Sequence, residues 1–331
     1  MEFHIRKPVE YEKIISDNTS RNIELTRHRM AVQQLLDARD NNENLISRLD
    51  EYIKCYDNIY KSLLPTQKLQ KQPFFHWIVD SKAISSSCWK FESVVSRTVL
   101  ASLMQSKGAA HLKDNEYKHA SKSFKVAVEK HLEAINVLKS WKWKLPSANH
   151  LIVQSSWHIS QAHHLQSMQN LCMLCVGLEN GLSSNNLYKI SQRATSSAVK
   201  SIAFWPGKPS TLKLCQSMQH LISSDILWER EEYGGSIERL QSWFGHETIN
   251  TFGFTKLQEE FDKVPFLLKE RIQVNNGAYF DPVKAVTPLP APEELIYMGP
   301  SDVPHPQSTR SIPEESALHE EHAQELPIVL E

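Results

Sequence analysis

The segment 210–243 is patterned as two helices joined by a turn, and it constrains the fold more than any other part of the chain. Apolar residues in its first half recur at spacings of three and four, which predicts one apolar stripe along a helix. These residues are Leu214, Met218, Leu221, Ile222 and Ile226. Gly234 and Gly235 then supply the backbone freedom of a helix stop, and Ser236 is predicted to cap a second helix. The sequence therefore predicts a helical hairpin that can bury its apolar stripe only against further helices.

The same amphipathic pattern recurs along most of the chain, interrupted by prolines, glycines and polar runs. Further helices are predicted at 23–36, 45–60, 85–107, 117–143, 147–176 and 186–204, and a last one runs through Phe261, Leu267 and Ile272. An aromatic block at 74–80 has to be buried or bound, and residues 1–20 allow only a short extended segment around Val9, Tyr11 and Ile14. Antiparallel helix pairs of this kind stack in tetratricopeptide-type solenoids. The sequence therefore predicts a mainly α fold.

Composition excludes several broad classes of protein. With 331 residues, of which 40% are apolar, the chain can bury a sizeable core. Lys and Arg total 37 against 38 Asp and Glu, and this balance argues against a general nucleic-acid binder. The first residues lack the apolar region of a secretory signal, and no segment approaches the roughly 18 apolar residues of a membrane span. Since the five cysteines are scattered, they are expected to be reduced thiols of a cytoplasmic protein.

One short motif suggests metal or redox chemistry, but its context argues against both. Cys172 and Cys175 form a C-x-x-C on a predicted helix that also carries three histidines, His158, His163 and His164. A zinc site needs a second pair of ligands, and a redox site needs a strand-to-helix setting that lowers the thiol pKa. The sequence pattern offers neither, so the two cysteines are expected to fill core space. No catalytic motif is found elsewhere, and we expect no enzyme activity, no metal and no cofactor.

Three passages in the first half of the chain have the residue patterns of one known family of helical domains. Phe75-His76-Trp77 with Asp80 is similar to the family's aromatic entry before its early core helix. The helical segment from Ala120 to Leu132 is similar to the family's helix with small residues around an aromatic, which precedes its long helix with an A-Q-A-Q-E-like run. Ser160 to His164 stands where the family has an A-Q-A-Q-E-like run, although two histidines replace the Q-E pair. With these passages the chain resembles the Bro (Bro-one) domain family.

Two later passages carry the same resemblance. Tyr233 to Leu240 resembles the family's F/Y-G-x-x-I-x-R-L turn. Asn275 to Phe280, followed by a proline-punctuated segment and Leu295-Ile296, is similar to the strap that closes the family's fold. The resemblance runs from about residue 20 to residue 306, with the passages in the family's order. The family's N-terminal strands are not recognisable in residues 1–20.

The resemblance implies a boomerang-shaped, mainly α domain with a tetratricopeptide-like helical solenoid core and a C-terminal extended strap. On this basis residues 1–20 are an N-terminal extended segment and residues 21–306 are the Bro-like domain. Residues 307–331 are acidic and polar, which is typical of a disordered tail.

Bro domains are non-catalytic adaptors in endosomal sorting and membrane remodelling, and they bind the C-terminal amphipathic helix of a Snf-seven-class ESCRT-III subunit. The resemblance implies the same partner for this chain, held by helix-in-groove recognition. The positions that match the family's groove are Val153, Trp157, Leu295 and Ile296, and Tyr279 matches a tyrosine near a second surface pocket. Trp157 can equally be a core residue, and Tyr279 a packed one. The alternative function is a generic helical-repeat scaffold that binds another peptide.

A lysine-tryptophan run follows one predicted helix and suits an anionic membrane interface. It comprises Lys139, Trp141, Lys142, Trp143 and Lys144. The competing interpretation is that the tryptophans pack internally and the lysines complement the helix dipole. With the family resemblance, the membrane interpretation predicts a cytoplasmic protein that associates peripherally with endosomes and binds no nucleic acid.

Overall fold

The computed structural model describes residues 3–5, 9, 20–38, 43–63, 75–86, 88–139, 150–206, 209–244 and 249–283. Within these ranges the chain is almost entirely helical, so the predicted mainly α fold is confirmed. The strands are β1 (Phe3–Ile5), β2 (Phe75–Val79) and β3 (Lys82–Ser86). The helices are α1 (Ser20–Asp37), α2 (Glu43–Leu63), α3 (Trp89–Lys113), α4 (Tyr117–Lys139), α5 (Ser155–Glu179), α6 (Ser184–Phe204), α7 (Pro209–Glu229), α8 (Tyr233–Phe244) and α9 (Thr255–Val274).

The helices from α3 to α8 form a stack in which each helix packs against the next one in the sequence. This nearest-neighbour packing is the property that defines a helical solenoid. Helix α5 lies at the centre, because it contacts α4 and α6 on either side and also touches α7 and α9. Most of its circumference is buried, and its apolar residues are accordingly spread around the helix rather than confined to one stripe.

A small antiparallel sheet, ordered β1-β2-β3, packs beside the first helices. The aromatic block of the sequence forms β2, in which Phe75, Trp77 and Val79 alternate inward as the period of a strand requires. The N-terminal strand pairs Ile5 with Trp77, so it lies earlier than the extended segment predicted around Val9. Tyr11 and Ile14 lie outside the described residues. The helix predicted from residue 85 begins instead at Trp89, since β3 occupies the chain up to Ser86.

One buried carboxylate connects the sheet to three helices. Glu92 of α3 is fully buried and accepts hydrogen bonds from Arg29 Nε at 2.8 Å, Tyr52 Oη at 2.7 Å and Trp77 Nε1 at 2.7 Å. These donors come from α1, α2 and β2 respectively. Because a buried charge is tolerated only when it is paired and hydrogen-bonded, this cluster fixes the relative positions of the four elements.

The hairpin of α7 and α8 is present, but its turn lies earlier than the sequence predicted. Helix α7 ends at Glu229, and Glu231 in the turn takes a positive φ of 65°. Gly234 is therefore inside the first turn of α8 rather than at a helix stop. Ser236 is likewise buried within α8 and is not its cap. The reason for a glycine at 234 is close packing, since a Cβ there would lie 2.3 Å from the carbonyl oxygen of Pro282.

The segment after α9 is attached to this hairpin. Asn275 begins a single π-helical turn, and its side-chain amide exchanges two hydrogen bonds with the backbone of Asp281, at 2.9 and 3.0 Å. The Asp281 carboxylate in turn accepts a 2.8 Å hydrogen bond from the backbone N–H of Gly234. Residues 275–283 are thereby held against the N-terminus of α8, where an anion is electrostatically favoured. The predicted strap beyond residue 283, including Leu295 and Ile296, lies outside the described residues.

The helix predicted continuously over 147–176 is interrupted. A 3-10 turn at Leu151–Val153 precedes α5, and Gln154 between them is extended. This break places Val153 in a turn that packs against α3 and α5, and it places Trp157 in the first turn of α5.

Candidate partner-binding surfaces

Trp157, the main predicted groove residue, lies at the junction of α4, the 3-10 turn and α5. Trp157 is 6% exposed, and Val153, the other predicted groove residue in the described part of the chain, is 9% exposed. The ring meets His131 edge-on, with centroids 5.6 Å apart, and meets His158 edge-on at 4.8 Å. In this conformation Trp157 therefore packs within the domain and does not protrude. Its contact with a partner stays a prediction.

Two buried histidines beneath Trp157 form a hydrogen-bonded pair. Nδ1 of His131 lies 2.9 Å from Nδ1 of His158, and Nε2 of His158 lies 2.8 Å from the carbonyl oxygen of Ile152. Because that carbonyl can only accept, Nε2 of His158 carries the proton, and its Nδ1 accepts from His131. Burial lowers the pKa of His158 to about 4, against a smaller upward contribution from the Ile152 carbonyl. The imidazole of His158 is consequently neutral at neutral pH.

The open surface of α5 lies on the opposite side of the helix from Trp157. It is a row of side chains at spacings of three, four and seven, which we call the α5 strip: Gln166, Gln169, Asn170 and Met173. The strip occupies the arc between the residues that contact α4, such as His158, and those that contact α6, such as Ser160. Three of its members are amides, while Met173 is 49% exposed. The strip therefore offers hydrogen-bonding groups and one apolar contact between two flanking helices.

A second surface is formed by stacked aromatic rings where α8 meets the segment after α9. The ring of Tyr279 stacks on Tyr233 with centroids 3.9 Å apart and an interplanar angle of 17°. Tyr233 in turn meets Trp228 edge-on at 4.8 Å. A hydrogen bond with Tyr279, followed by burial, raises the pKa of Tyr233 to about 12. Tyr279 remains 51% exposed, so the structure gives it both a stacking partner and an open side.

This aromatic stack rests on a buried arginine. The guanidinium of Arg271 lies 5.0 Å from the ring centroid of Trp228 and donates to the carboxylate of Asp225 at 2.6 Å. It also donates to the hydroxyls of Ser224 and Ser236, at 2.6 and 2.7 Å. Burial raises the pKa of Asp225 even though Arg271 acts to lower it. These contacts join α7, α8 and α9 beneath the exposed rings.

The predicted membrane-contact run is described only at its first residue. Lys139 is exposed at the end of α4. Trp141, Lys142, Trp143 and Lys144 lie outside the described residues. The positions of these tryptophans therefore stay a prediction.

The cysteines of the C-x-x-C are buried in the core. Burial raises the pKa of both Cys172 and Cys175 well above that of a free thiol, and it raises the pKa of Cys215 to about 12. Thiols with raised pKa values are poor nucleophiles and poor metal ligands. Over the described ranges, no group of three histidine, cysteine or acidic side chains is arranged to hold a metal ion. No helix in those ranges has the length and apolar character that a bilayer crossing requires.

Sequence reasoning missed the α5 strip and the pairing of Tyr233 with Tyr279. The helical spacing of the strip is present in the sequence, but a row of amides is typical of any solvent-exposed helix face and does not identify a binding surface. The aromatic pair joins residues 46 positions apart, so helical spacing along the sequence could not have found it.

The stacked helices and the small sheet have the arrangement of the Bro1-domain fold. No protein-family profile matches the sequence, and no curated protein matches it. The likeness is instead to solved structures. A complex of the ALIX BRO1 domain with CHMP4C superposes with a TM-score of 0.66 at 14% identity, over 88% of this chain and 95% of that one.

Two further structures agree. ALIX in complex with the SIVmac239 PYKEVTEDL late domain gives a TM-score of 0.66 at 14% identity, over 88% of this chain and 49% of that longer chain. A Bro1 domain studied for endosomal targeting gives a TM-score of 0.60 at 14% identity, over 86% of this chain and 87% of the other. The predicted resemblance to the Bro domain is thus confirmed at the level of the fold.

Proposed function

We propose that this chain is a non-catalytic adaptor that binds the C-terminal amphipathic helix of a Snf-seven-class ESCRT-III subunit. The observation that carries the proposal is the Bro1-domain fold over 88% of the chain, matched to a domain that was solved with CHMP4C. A stack of helix pairs is also the kind of scaffold that binds a partner helix along its surface.

The proposed contact keeps the groove residues that the family resemblance implies. Val153 and Trp157 retain only small exposed fractions, so they would form the floor of the contact rather than protruding anchors. Leu295 and Ile296 would close the groove from the strap, and Tyr279 would mark a second pocket. Lys139 to Lys144 would touch an anionic endosomal membrane, which gives the adaptor a peripheral endosomal location.

The test is isothermal titration of the full chain with a synthetic Snf-seven-class C-terminal helix, with a scrambled peptide for comparison. We expect saturable binding of the helix alone. Trp157→Leu is expected to weaken binding about tenfold or more, because truncating a central aromatic contact has a large effect on affinity. Trp243→Leu, which truncates a half-buried indole on α8, is the matched control and should leave binding unchanged.

The outcomes separate the function from its site. Absence of binding by the wild-type chain contradicts the ESCRT-III assignment and favours a helical scaffold with another peptide ligand. If Trp157→Leu binds the helix with wild-type affinity and shows the cooperative thermal transition of a folded protein, the result contradicts only the assignment of the binding site to Trp157.

A further inference from the structure

Arg239 of α8 is a buried cation that has no carboxylate partner among the described residues. It is 6% exposed, and its Nη1 atom is buried without a hydrogen-bond partner. Each of the other three buried arginines in the described ranges forms an ion pair with a carboxylate. These pairs are Arg29 with Glu92, Arg97 with Asp57 and Arg271 with Asp225. Since a buried guanidinium that lacks an anion is costly, Arg239 requires one from another part of the chain or from a ligand.

Two further polar groups lie beside Arg239 on α7. Nδ1 of His220 and Oγ of Ser223 are buried, and neither has a hydrogen-bond partner in the part of the chain that the structure describes. His220 is close enough to Arg239 that its pKa is lowered to about 4, first by burial and then by the charge of Arg239. His220 and Ser223 are three residues apart, so their side chains share one side of α7. We call these three residues the Arg239 site.

The pairing of α7 with α8 places Arg239 level with the other two members of its site. Three residues before Arg239, the Ser236 hydroxyl lies 3.0 Å from that of Ser224. Four residues after Arg239, the ring of Trp243 stacks on His220 with centroids 4.1 Å apart. Arg239 therefore lies along α8 between two contacts with α7, next to the polar groups of that helix.

The Arg239 site opens on the side of the hairpin that faces away from α9. Helix α9 contacts α8 at Phe244 and α7 at Asp225. At about 100° per residue, Arg239 points about 140° away from Phe244 around α8, and Ser223 points about 160° away from Asp225 around α7. A ligand therefore enters opposite α9, where His220 is half-buried.

The donors of the Arg239 site fit one carboxylate group. A planar guanidinium presents parallel N–H groups that match the two oxygens of a carboxylate. The serine hydroxyl and an imidazole N–H are further donors for the same oxygens. One guanidinium balances one negative charge, whereas a doubly charged phosphate would leave a buried charge uncompensated. The ligand is therefore the carboxylate of an acidic side chain.

The neighbouring carboxylate of Glu238 does not fill the site. Glu238 is adjacent to Arg239 on α8, so its side chain points about 100° around the helix from that of Arg239. Among the described residues, no ion pair joins the two. Burial raises the pKa of Glu238, and the charge of Arg239 offsets that effect only in part. The carboxylate must therefore come from outside α8.

The chain beyond residue 283 carries a pair of carboxylates within reach of this site. The described residues end at 283, directly after the segment that packs on Gly234 at the start of α8. Arg239 lies five residues further along α8, which is about 7.5 Å. The first acidic residues after 283 are Glu293 and Glu294, and ten extended residues span up to about 33 Å. Either carboxylate can therefore reach the Arg239 site.

We propose that the adjacent residues Glu293 and Glu294 supply the carboxylate that binds Arg239, and that this ion pair attaches the predicted strap to the hairpin of α7 and α8. Residues 284–301 contain no other acidic residue, so the assignment within the strap is limited to these two. Leu295 and Ile296 follow directly, and the ion pair therefore also positions these two predicted groove residues. That consequence rests on the proposed function, whereas the ion pair itself does not.

A double-mutant cycle on the full chain, measured by urea denaturation, tests the ion pair. Arg239→Met and the double substitution E293Q/E294Q are each expected to raise the unfolding equilibrium constant about tenfold or more, because each breaks the pair. Combined in one chain, the two changes are expected to have no larger effect than the stronger of them alone. The matched control is E314Q/E315Q, which changes another adjacent acidic pair and should leave stability unchanged.

A cross-linking measurement tests the contact while keeping the positive charge. Arg239→Lys provides an amine, which a carbodiimide couples directly to a carboxylate that touches it. Peptide mapping of the folded variant is expected to find an amide bond between position 239 and Glu293 or Glu294. The wild-type chain, treated in the same way, is the control because a guanidinium does not form this bond.

Three results would overturn the proposal. The first is additivity of Arg239→Met with E293Q/E294Q, since independent sites add. The second is an amide bond that joins position 239 only to Glu238 or to an acidic residue beyond 301, because the site then holds another carboxylate. The third is the absence of any cross-link at position 239 in the folded variant. Neither measurement involves the ESCRT-III helix, so these failures would leave the adaptor proposal unaffected.

Discussion

The buried carboxylate of Glu92 shows how one residue can hold four elements together. Its partners Arg29, Tyr52 and Trp77 are 63, 40 and 15 residues away in the sequence, so none of these pairings follows from local pattern. The guanidinium of Arg29 also lies 5.7 Å from the ring centroid of Trp77. Each member of the cluster is therefore buried with a hydrogen-bond partner, as buried charges require.

Glu92→Gln tests this cluster. Replacement of the carboxylate removes the buried anionic partner that Arg29 has on α3, and breaking a buried ion pair in this way costs about 3–5 kcal/mol of unfolding free energy. Glu129→Gln on the exposed face of α4 is the matched control, with an expected change within about 0.5 kcal/mol. Urea denaturation measures both. A loss below about 1 kcal/mol for Glu92→Gln would show that Arg29 finds another partner.

The buried His158 makes stability depend on pH in a defined direction. Its pKa is lowered from 6.5 to about 4, so the unfolded chain binds this proton more readily than the folded one. The stabilisation is complete above pH 6.5 and is lost as the pH falls from 6.5 towards 4. His220, whose pKa is lowered to about 4 by burial and by Arg239, acts in the same direction.

We expect the unfolding free energy to fall by about 2 kcal/mol between pH 7 and pH 5 through His158 alone. His158→Gln keeps a donor for the Ile152 carbonyl but does not titrate, and it should make the dependence shallower by that amount. Denaturant titrations at a series of pH values measure the effect. An unchanged slope in His158→Gln would contradict the assignment of this proton to His158.

At the scale of elements, the sequence predicted a helix at the position of each of α1 to α9, because the apolar spacing of these segments is regular. It did not predict the three strands, although Phe75, Trp77 and Val79 alternate with a period of two. The aromatic content of that block predicts burial, and burial alone does not distinguish a strand from a helix. The turn before α8 was misplaced for a different reason: paired glycines usually end helices, and here Gly234 is required by close packing against Pro282, a contact that involves residues 48 apart.

The glycines at 234 and 235 provide a matched pair of variants. In Gly234→Ala the new Cβ would overlap the Pro282 carbonyl at 2.3 Å and displace residues 275–283 from α8. We expect a loss of about 1–3 kcal/mol, the usual cost of overpacking. In Gly235→Ala the nearest atom is Leu227 Cδ1 at 3.6 Å, so the helix should instead gain up to about 1 kcal/mol.

Thermal melting compares the two variants, and hydrogen exchange at residues 275–283 reports whether that segment is released. Equal melting temperatures for Gly234→Ala and Gly235→Ala would contradict the close contact. Faster hydrogen exchange at residues 275–283 in Gly234→Ala, but not in Gly235→Ala, would support it.

At the scale of the molecule, the order of motifs predicted the fold better than it predicted the site. In a solenoid each helix packs on its neighbours in the sequence, so the order of the predicted helices determines the fold. The exposure of Trp157 depends instead on where α4 and the 3-10 turn lie around α5, and neither is fixed by the spacing of residues on α5 itself. The exposed side of α5 is the α5 strip, and its first residue, Gln166, lies about two and a half turns along the helix from Trp157.

The most direct test of the adaptor account is hydrogen–deuterium exchange of the full chain with and without a saturating Snf-seven-class C-terminal helix. The account predicts slower exchange at residues 150–179, which include the 3-10 turn and α5, and no change in α1 or the sheet. Exchange that is unaltered throughout the chain, or protection confined to α1 and the sheet, would contradict it.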